Sequence, residues 1–453
     1  MAHRTVSSFK ISPQNITIVS RMQELPYIHG MLLSVWDNIL GPKIQHAWLV
    51  DVEHGDTISH DVLNYASTRV LNSSDDPGSK VQSKFFVLSE KGILLNALVF
   101  GGTGSSGSNV CAISLVLPYS ELKWYMPIQE LCMSRLMAMV YKFRVLQDRD
   151  YKTVVNEFTS ICVKSFVRML INLREYRLHS LIDINMTVFA TGQENQLDVA
   201  FIRKAISSHL QTCGCSLVIG SSVKEVNTVI STLALFLSPS ERQCSCYLLE
   251  DNEYPYQQGL YIQGLLINED VNTNTILSNY MRDILTNQYP TTLIDINRLE
   301  VKQTPPCNEH YSKRHEVMSQ ELQCLWLDDM DEILCLPPTA FHIVETDDVM
   351  LEDIMAEVYQ LHPGSGVREA HIEQFIRLLD RKALALIKYM ETETNRGKCG
   401  VKSSMIKRAR HDLSLADNTD WRIILARAEK LKPGMYSFIC GVKGQSSEPP
   451  TPT

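Results

Sequence analysis

The chain has 453 residues, 44% of them hydrophobic and 21% charged, and carries a net charge of −8. That length and balance predict two or three folded domains, since a single core stops growing at about 250–300 residues. An acidic chain without an excess of Lys and Arg argues against nucleic acid as a partner.

The segment Met1 to Gln23 has no continuous apolar stretch, so it does not read as a secretory signal. The longest apolar runs, such as Ile93 to Phe100, fall short of the roughly 18–20 residues of a membrane helix. Twelve cysteines are spread thinly from Cys111 to Cys440, a usage that fits reduced thiols in the cytosol rather than a disulfide scaffold. We therefore expect a soluble intracellular protein.

In chain order, Tyr27 to Trp36 and Lys43 to Val50 read as two strands joined by Asp37-Asn38-Ile39-Leu40-Gly41-Pro42, a hairpin. His60 to Leu71 has a helical period and stops at the Asn72 to Gly78 cluster. Strands follow at Lys84–Ser89, Ile93–Phe100 and Val110–Leu117, with the glycine-rich segment Gly101–Asn109 before the last. Helices over 127–147 and 151–178 are expected to cover one face of the resulting sheet. Thr191 to Asn195 marks a boundary. Beyond it, helix, strand and helix alternate at 200–211, 215–220 and 222–237, then strand, helix and strand at 260–266, 276–285 and 291–296, an α/β pattern. Acidic residues crowd Asp328–Glu332 and Glu345–Asp348, and from Pro363-Gly364-Ser365-Gly366 onward the pattern is helical. The proline-rich tail reads as disordered. The expected division is 24–182, 198–343, 366–442 and a tail over 443–453.

Few segments propose chemistry. Gly102 and Gly107 have the spacing of a phosphate-binding loop, but Ser108 stands where that loop needs lysine, and a strand follows instead of a helix. Cys213 and Cys215, with Cys244 and Cys246, could in principle offer four thiolates to zinc; their one-residue spacing is tighter than structural zinc sites use. Core cysteines are the preferred reading, and no metal or other cofactor is expected. No nucleophile with its base is proposed by any motif. The basic stretch Arg396, Lys398, Lys402, Lys407, Arg408 and Arg410 reads as a solvated face, with an anionic lipid or acidic partner as the alternative.

The hairpin Trp36-Asp37-Asn38-Ile39-Leu40-Gly41-Pro42 and the run Lys84-Phe85-Phe86-Val87 to Gly92 closely resemble the chromosome-nine open-reading-frame-seventy-two family of DENN proteins. The likeness continues in family order through Ala205–Ser216, Tyr289–Thr292, Lys302–Cys307, Arg381–Tyr389 and Ala428–Gly434. Residues 149–195 match the family poorly, and the tail is shorter than the family's, so self-association does not carry over.

The resemblance implies an α/β and α+β multidomain fold: a longin-like first domain (β-β-α-β-β-β-α), a central α/β DENN domain and a helical C-terminal part. It implies a guanine-nucleotide exchange factor for Rab or Arf GTPases, working with a second DENN protein and a WD-repeat subunit in endosomal traffic, autophagy and lysosomal signalling. It also implies a cytoplasmic protein recruited to endosomes, lysosomes or autophagosomes, with a nuclear pool. The alternative is a scaffold subunit of a GTPase-activating complex whose arginine finger comes from the partner; Arg69, Arg135 and Arg144 have no context that would make them one. The candidate interface residues are Trp36, Asp37, Asn38, Gly41, Pro42, Phe85, Phe86 and Val87, each with core packing or turn formation as the competing role.

Overall fold

The computed structural model describes residues 11–22, 27–52, 58–73, 80–102, 110–147, 149–190, 197–248, 256–267, 273–327, 340–344, 349–362, 366–394, 400–415 and 417–440. The acidic runs at 328–332 and 345–348, the breaker at 363–365, Arg396, Lys398 and the tail lie outside them, as does most of the Gly101–Asn109 segment. Contacts divide the chain into two units, one of residues 1–174 with 322–328, the other of 175–321 with 329–451. Both are mixed α/β.

The first unit is built on six strands: β1 (Ile16–Met22), β2 (Gly30–Asp37), β3 (Gly41–Val52), β4 (Gln82–Leu88), β5 (Ile93–Gly101) and β6 (Val110–Pro118), in the order β1-β3-β2-β6-β5-β4. All pairings are antiparallel except β1 with β3, where Ile16 lies opposite Ala47. The strand β1 lies before residue 24, where the sequence reading begins the first domain. Ile16, Ile18, Val19 and Met22 make it apolar enough for a strand, but its partner is some thirty positions away, so nothing nearby in the chain marks the pairing.

Helices cover both faces of this sheet, not the one face expected from sequence. On one side the helix His60–Asn72, capped by the Ser59 hydroxyl, buries Leu63, Ala66 and Val70 against Leu32, Leu95 and Val116. On the other side Trp48 and Phe100 meet Phe158 and Phe143, at ring separations of 5.4 and 6.0 Å, from the helices Tyr151–Phe158 and Gln129–Leu146. A π-helical turn, Thr159–Val163, follows the first of these and sets the Thr159 hydroxyl 2.7 Å from the Trp48 indole N–H that donates to it. The two-sided cover explains why β5 is buried from Ile93 to Phe100 and apolar there apart from Asn96, whose amide bonds to the Tyr125 hydroxyl: a strand covered twice has no polar face to alternate with.

The second unit holds β7 (Ser216–Gly220), β8 (Ile262–Leu266), β9 (Thr292–Asp295), β10 (Glu300–Gln303) and β11 (His342–Ile343), ordered β11-β10-β9-β7-β8. β7 runs parallel to β8 and β9, while β10 and β11 are antiparallel additions. The crossover helix Val223–Ala234 packs on one face and Thr273–Leu285 on the other, which is what right-handed crossovers from β7 out to β8 and from β8 back across β7 to β9 produce. The alternation expected over 198–296 is present; β10, β11 and the short helix Pro239–Gln243 were not anticipated. The C-terminal helices Val367–Glu393 and Asn418–Leu431 share one buried cluster with the helix Val199–Gln211 and the sheet.

Candidate functional site

The expected interface residues fall at two places on the first sheet. At the β2–β3 hairpin, Trp36 pairs with Pro42 and Asp37 with Gly41. The Asp37 carboxylate accepts the backbone N–H of Ile39 at 2.9 Å and of Leu40 at 3.0 Å, folding Asn38-Ile39-Leu40 into a side-chain-closed turn. Those bonds, the one from Leu40 foremost, hold the carboxyl below its ordinary pKa. Gly41 closes the turn at φ +79°, a left-handed conformation that costs glycine little. Trp36 is half-buried and packs against the sheet's core, so it anchors the hairpin. The turn holds out Ile39, 93% exposed, and Leu40, 52% exposed.

Phe85, Phe86 and Val87 lie in β4, at the sheet's edge. Successive side chains take opposite faces. Phe85 stacks on Tyr125 at 6.2 Å, Phe86 joins the core with the Arg69 guanidinium 5.6 Å above its ring, and Val87 is exposed. Between β2 and β4 stand β6 and β5, and Phe85 lies in register with Met31, five residues along β2 from Trp36, so the two groups are about 14 Å apart across the sheet and about 17 Å apart along it. They do not converge into one contact surface. Sequence reasoning named Trp36 and Phe86, which are packing residues, and passed over Ile39 and Leu40; the signal was two large apolar residues inside a turn closed by Asp and Gly.

The three arginines considered as fingers are engaged within the fold. Arg69 covers Phe86, Arg135 donates to the Ser165 hydroxyl at 3.3 Å, and Arg144 lies 5.5 Å above Phe100. The thiols of the second unit do not assemble as the four-cysteine reading would need. Cys213, at φ +56°, hydrogen-bonds with Cys307, and its thiol reaches the Ala426 carbonyl at 3.5 Å. Burial drives Cys215 and Cys246 well above the ordinary thiol pKa, which opposes the thiolate that a metal requires. Among the described residues no group of three or more His, Cys, Asp or Glu is placed to hold a metal ion. Nor is any helix among them long and apolar enough to cross a membrane.

The architecture is that of a two-unit mixed α/β protein, with an exposed turn and a sheet-edge strand in its first unit. A model of the C9orf72-like protein family matches residues 61–310, which takes in Phe85, Phe86 and Val87 and begins after the hairpin. The human guanine nucleotide exchange factor C9orf72 is 34% identical over 440 residues, covering 90% of each chain. The rat and mouse homologues of that factor match with the same identity and coverage. The chain belongs to the C9orf72-like family.

Proposed function

We propose that this protein is a guanine-nucleotide exchange factor of DENN type that binds a Rab or Arf GTPase. The observation that carries the reading is the end-to-end match, over 90% of both chains, to relatives named as exchange factors. Exchange requires only that the factor bind the nucleotide-free GTPase more tightly than the loaded one, so it works through surfaces and not through a covalent site. In this reading the first unit is the longin-like domain and the second the DENN domain with its helical part. The edge strand β4 and the tip Ile39–Leu40 are offered to a second DENN protein or to the GTPase. A WD-repeat subunit completes the complex, which acts from the cytoplasm, with a nuclear pool, at endosomes, lysosomes and autophagosomes in traffic, autophagy and lysosomal signalling.

The test is release of labelled GDP from a panel of purified Rab and Arf proteins. Acceleration by this chain alone supports exchange. Faster GTP hydrolysis appearing only when the second DENN protein is added, with no effect on GDP release, would replace it by the scaffold reading. The engagement of Arg69, Arg135 and Arg144 in packing supports a partner-supplied finger in that case.

A further inference from the structure

A cavity of about 240 Å³ opens in the second unit beside the sheet-edge strand β11. That is slightly below the roughly 300–1,000 Å³ of drug-sized ligand sites, so it suits a small molecule. Its walls come from distant parts of the chain, among them Gln211, Gln303, Cys307, His342, Arg422 and Tyr436. In a chain of net charge −8, the described residues lining this cavity include no Asp or Glu and one arginine.

Two of these side chains keep donors that no described residue takes up. Arg422, exposed on the helix Asn418–Leu431, pairs with no carboxylate among the described residues. Tyr436 is 7% exposed, and its hydroxyl bonds to none of them, although its backbone N–H is held by Glu429. Both side chains line this cavity, and the Arg422 charge favours the ionised form of the Tyr436 phenol, against the larger effect of burial. Tyr436 lines the cavity, and its hydroxyl can donate to a bound acceptor there. The Gln303 amide reaches Gln211 only at 3.4 Å, long for a hydrogen bond, and can turn toward a ligand.

We infer that this cavity is a binding site for a small oxyanion, a carboxylate or phosphate group held by the Arg422 guanidinium and the Tyr436 hydroxyl. A guanidinium presents paired N–H donors that match either group, and the hydroxyl adds a third donor from inside the wall. The amides of Gln303 and Gln211 then contact the remainder of the molecule.

The experiment is calorimetric titration of the full chain with inorganic phosphate, L-glutamate and, as a neutral control, glycerol, at matched ionic strength. One of the two anions should saturate a single site: phosphate would place the ligand among phosphate esters, glutamate among carboxylates. Arg422→Gln should weaken that binding about tenfold or more, the loss of one charge-assisted hydrogen bond, and Tyr436→Phe severalfold. Because Arg422 is exposed, its variant should keep the native fold, checked by circular dichroism, and it decides the matter if Tyr436→Phe does not fold. Absence of saturation by both anions, unchanged affinity in Arg422→Gln, or glycerol binding as tightly as the anions would each overturn the assignment.

Discussion

The Lys430 ammonium lies 2.6 Å from the Glu241 carboxylate, and each side chain is only 12% exposed. Glu241 is also half of a capping box with Ser238 at the start of the helix Pro239–Gln243. Lys430, on the helix Asn418–Leu431, extends 5.7 Å above the Tyr261 ring beside β8. One buried ion pair thus ties a C-terminal helix to the α/β core of the second unit. Burial alone would raise the Glu241 pKa, but Lys430 at close range and the Ser238 donors outweigh it and bring the group below its ordinary value.

Lys430→Met should therefore destabilise the second unit by about 3–5 kcal/mol at neutral pH, because it leaves an unpaired buried carboxylate. A carboxylate whose folded pKa is depressed contributes stability above its unfolded pKa and loses it as pH falls through the folded value. The gap between wild type and variant should narrow in acid, and adding Glu241→Gln should recover much of the loss. Urea unfolding across pH measures both; a gap that persists in acid would refute the assignment.

Two histidines of the same unit are held neutral. Burial, with the Lys430 charge as a lesser cause, lowers His209 to about 3. Burial lowers His310 to about 4, against the opposing bond to the Asn287 carbonyl. Between those values and the unfolded value near 6.5 the unfolded chain binds protons that the folded one refuses, so their contribution is full above about pH 6.5 and shrinks below it. Well inside that window, stability should fall by about 1.4 kcal/mol per pH unit for each group. Urea unfolding at about pH 7.5 and about pH 5 tests it, and His209→Asn should flatten the slope.

Gly30 opens β2 at φ +144°, where an added Cβ would sit 2.1 Å from the Trp48 carbonyl oxygen. The contact is with paired backbone and cannot yield without breaking the β2–β3 register. Gly30→Ala should cost about 3 kcal/mol or more, visible as a lowered Tm of the first unit; an unchanged Tm would show that the strand start can shift.

The tip residues separate folding from contact. Replacing Ile39 and Leu40 together by serine removes exposed side chains, so stability should stay within about 0.5 kcal/mol of wild type. If the tip meets a protein partner, the same variant should lose capture of the second DENN protein or acceleration of GDP release. Full retention of both would remove the tip from the interface.

Much of this architecture is written in local patterns. The hairpin is legible because Asp37 and Gly41 are the residue types its turn needs. The helix His60–Asn72 shows its buried stripe at helical spacing, and Ser59 is a recognisable cap. The alternation of helices and strands between Val199 and Asp295 can be followed residue by residue. Such signals reach only four or so positions along the chain, the range of helix and turn contacts.

What lies beyond that range was decided by the tertiary structure. β10 and β11 are short, and they, like β1, exist because a partner strand supplies their hydrogen bonds. Arg368 reads as a surface cation, yet it is 5% exposed, its guanidinium satisfied by the carbonyls of Leu361 and Phe189. Cys213 found Cys307 and not Cys244 or Cys246, since proximity through a core is set by packing and not by spacing. The cavity beside β11 follows the same rule: Gln211, His342 and Arg422 share a wall only after long stretches of chain have closed around them, and no local period records that closure. The sequence determined most of the elements and the family; the tertiary structure decided the remaining strands, which side chains are buried, which are held out to solvent at Ile39 and Leu40, and which meet.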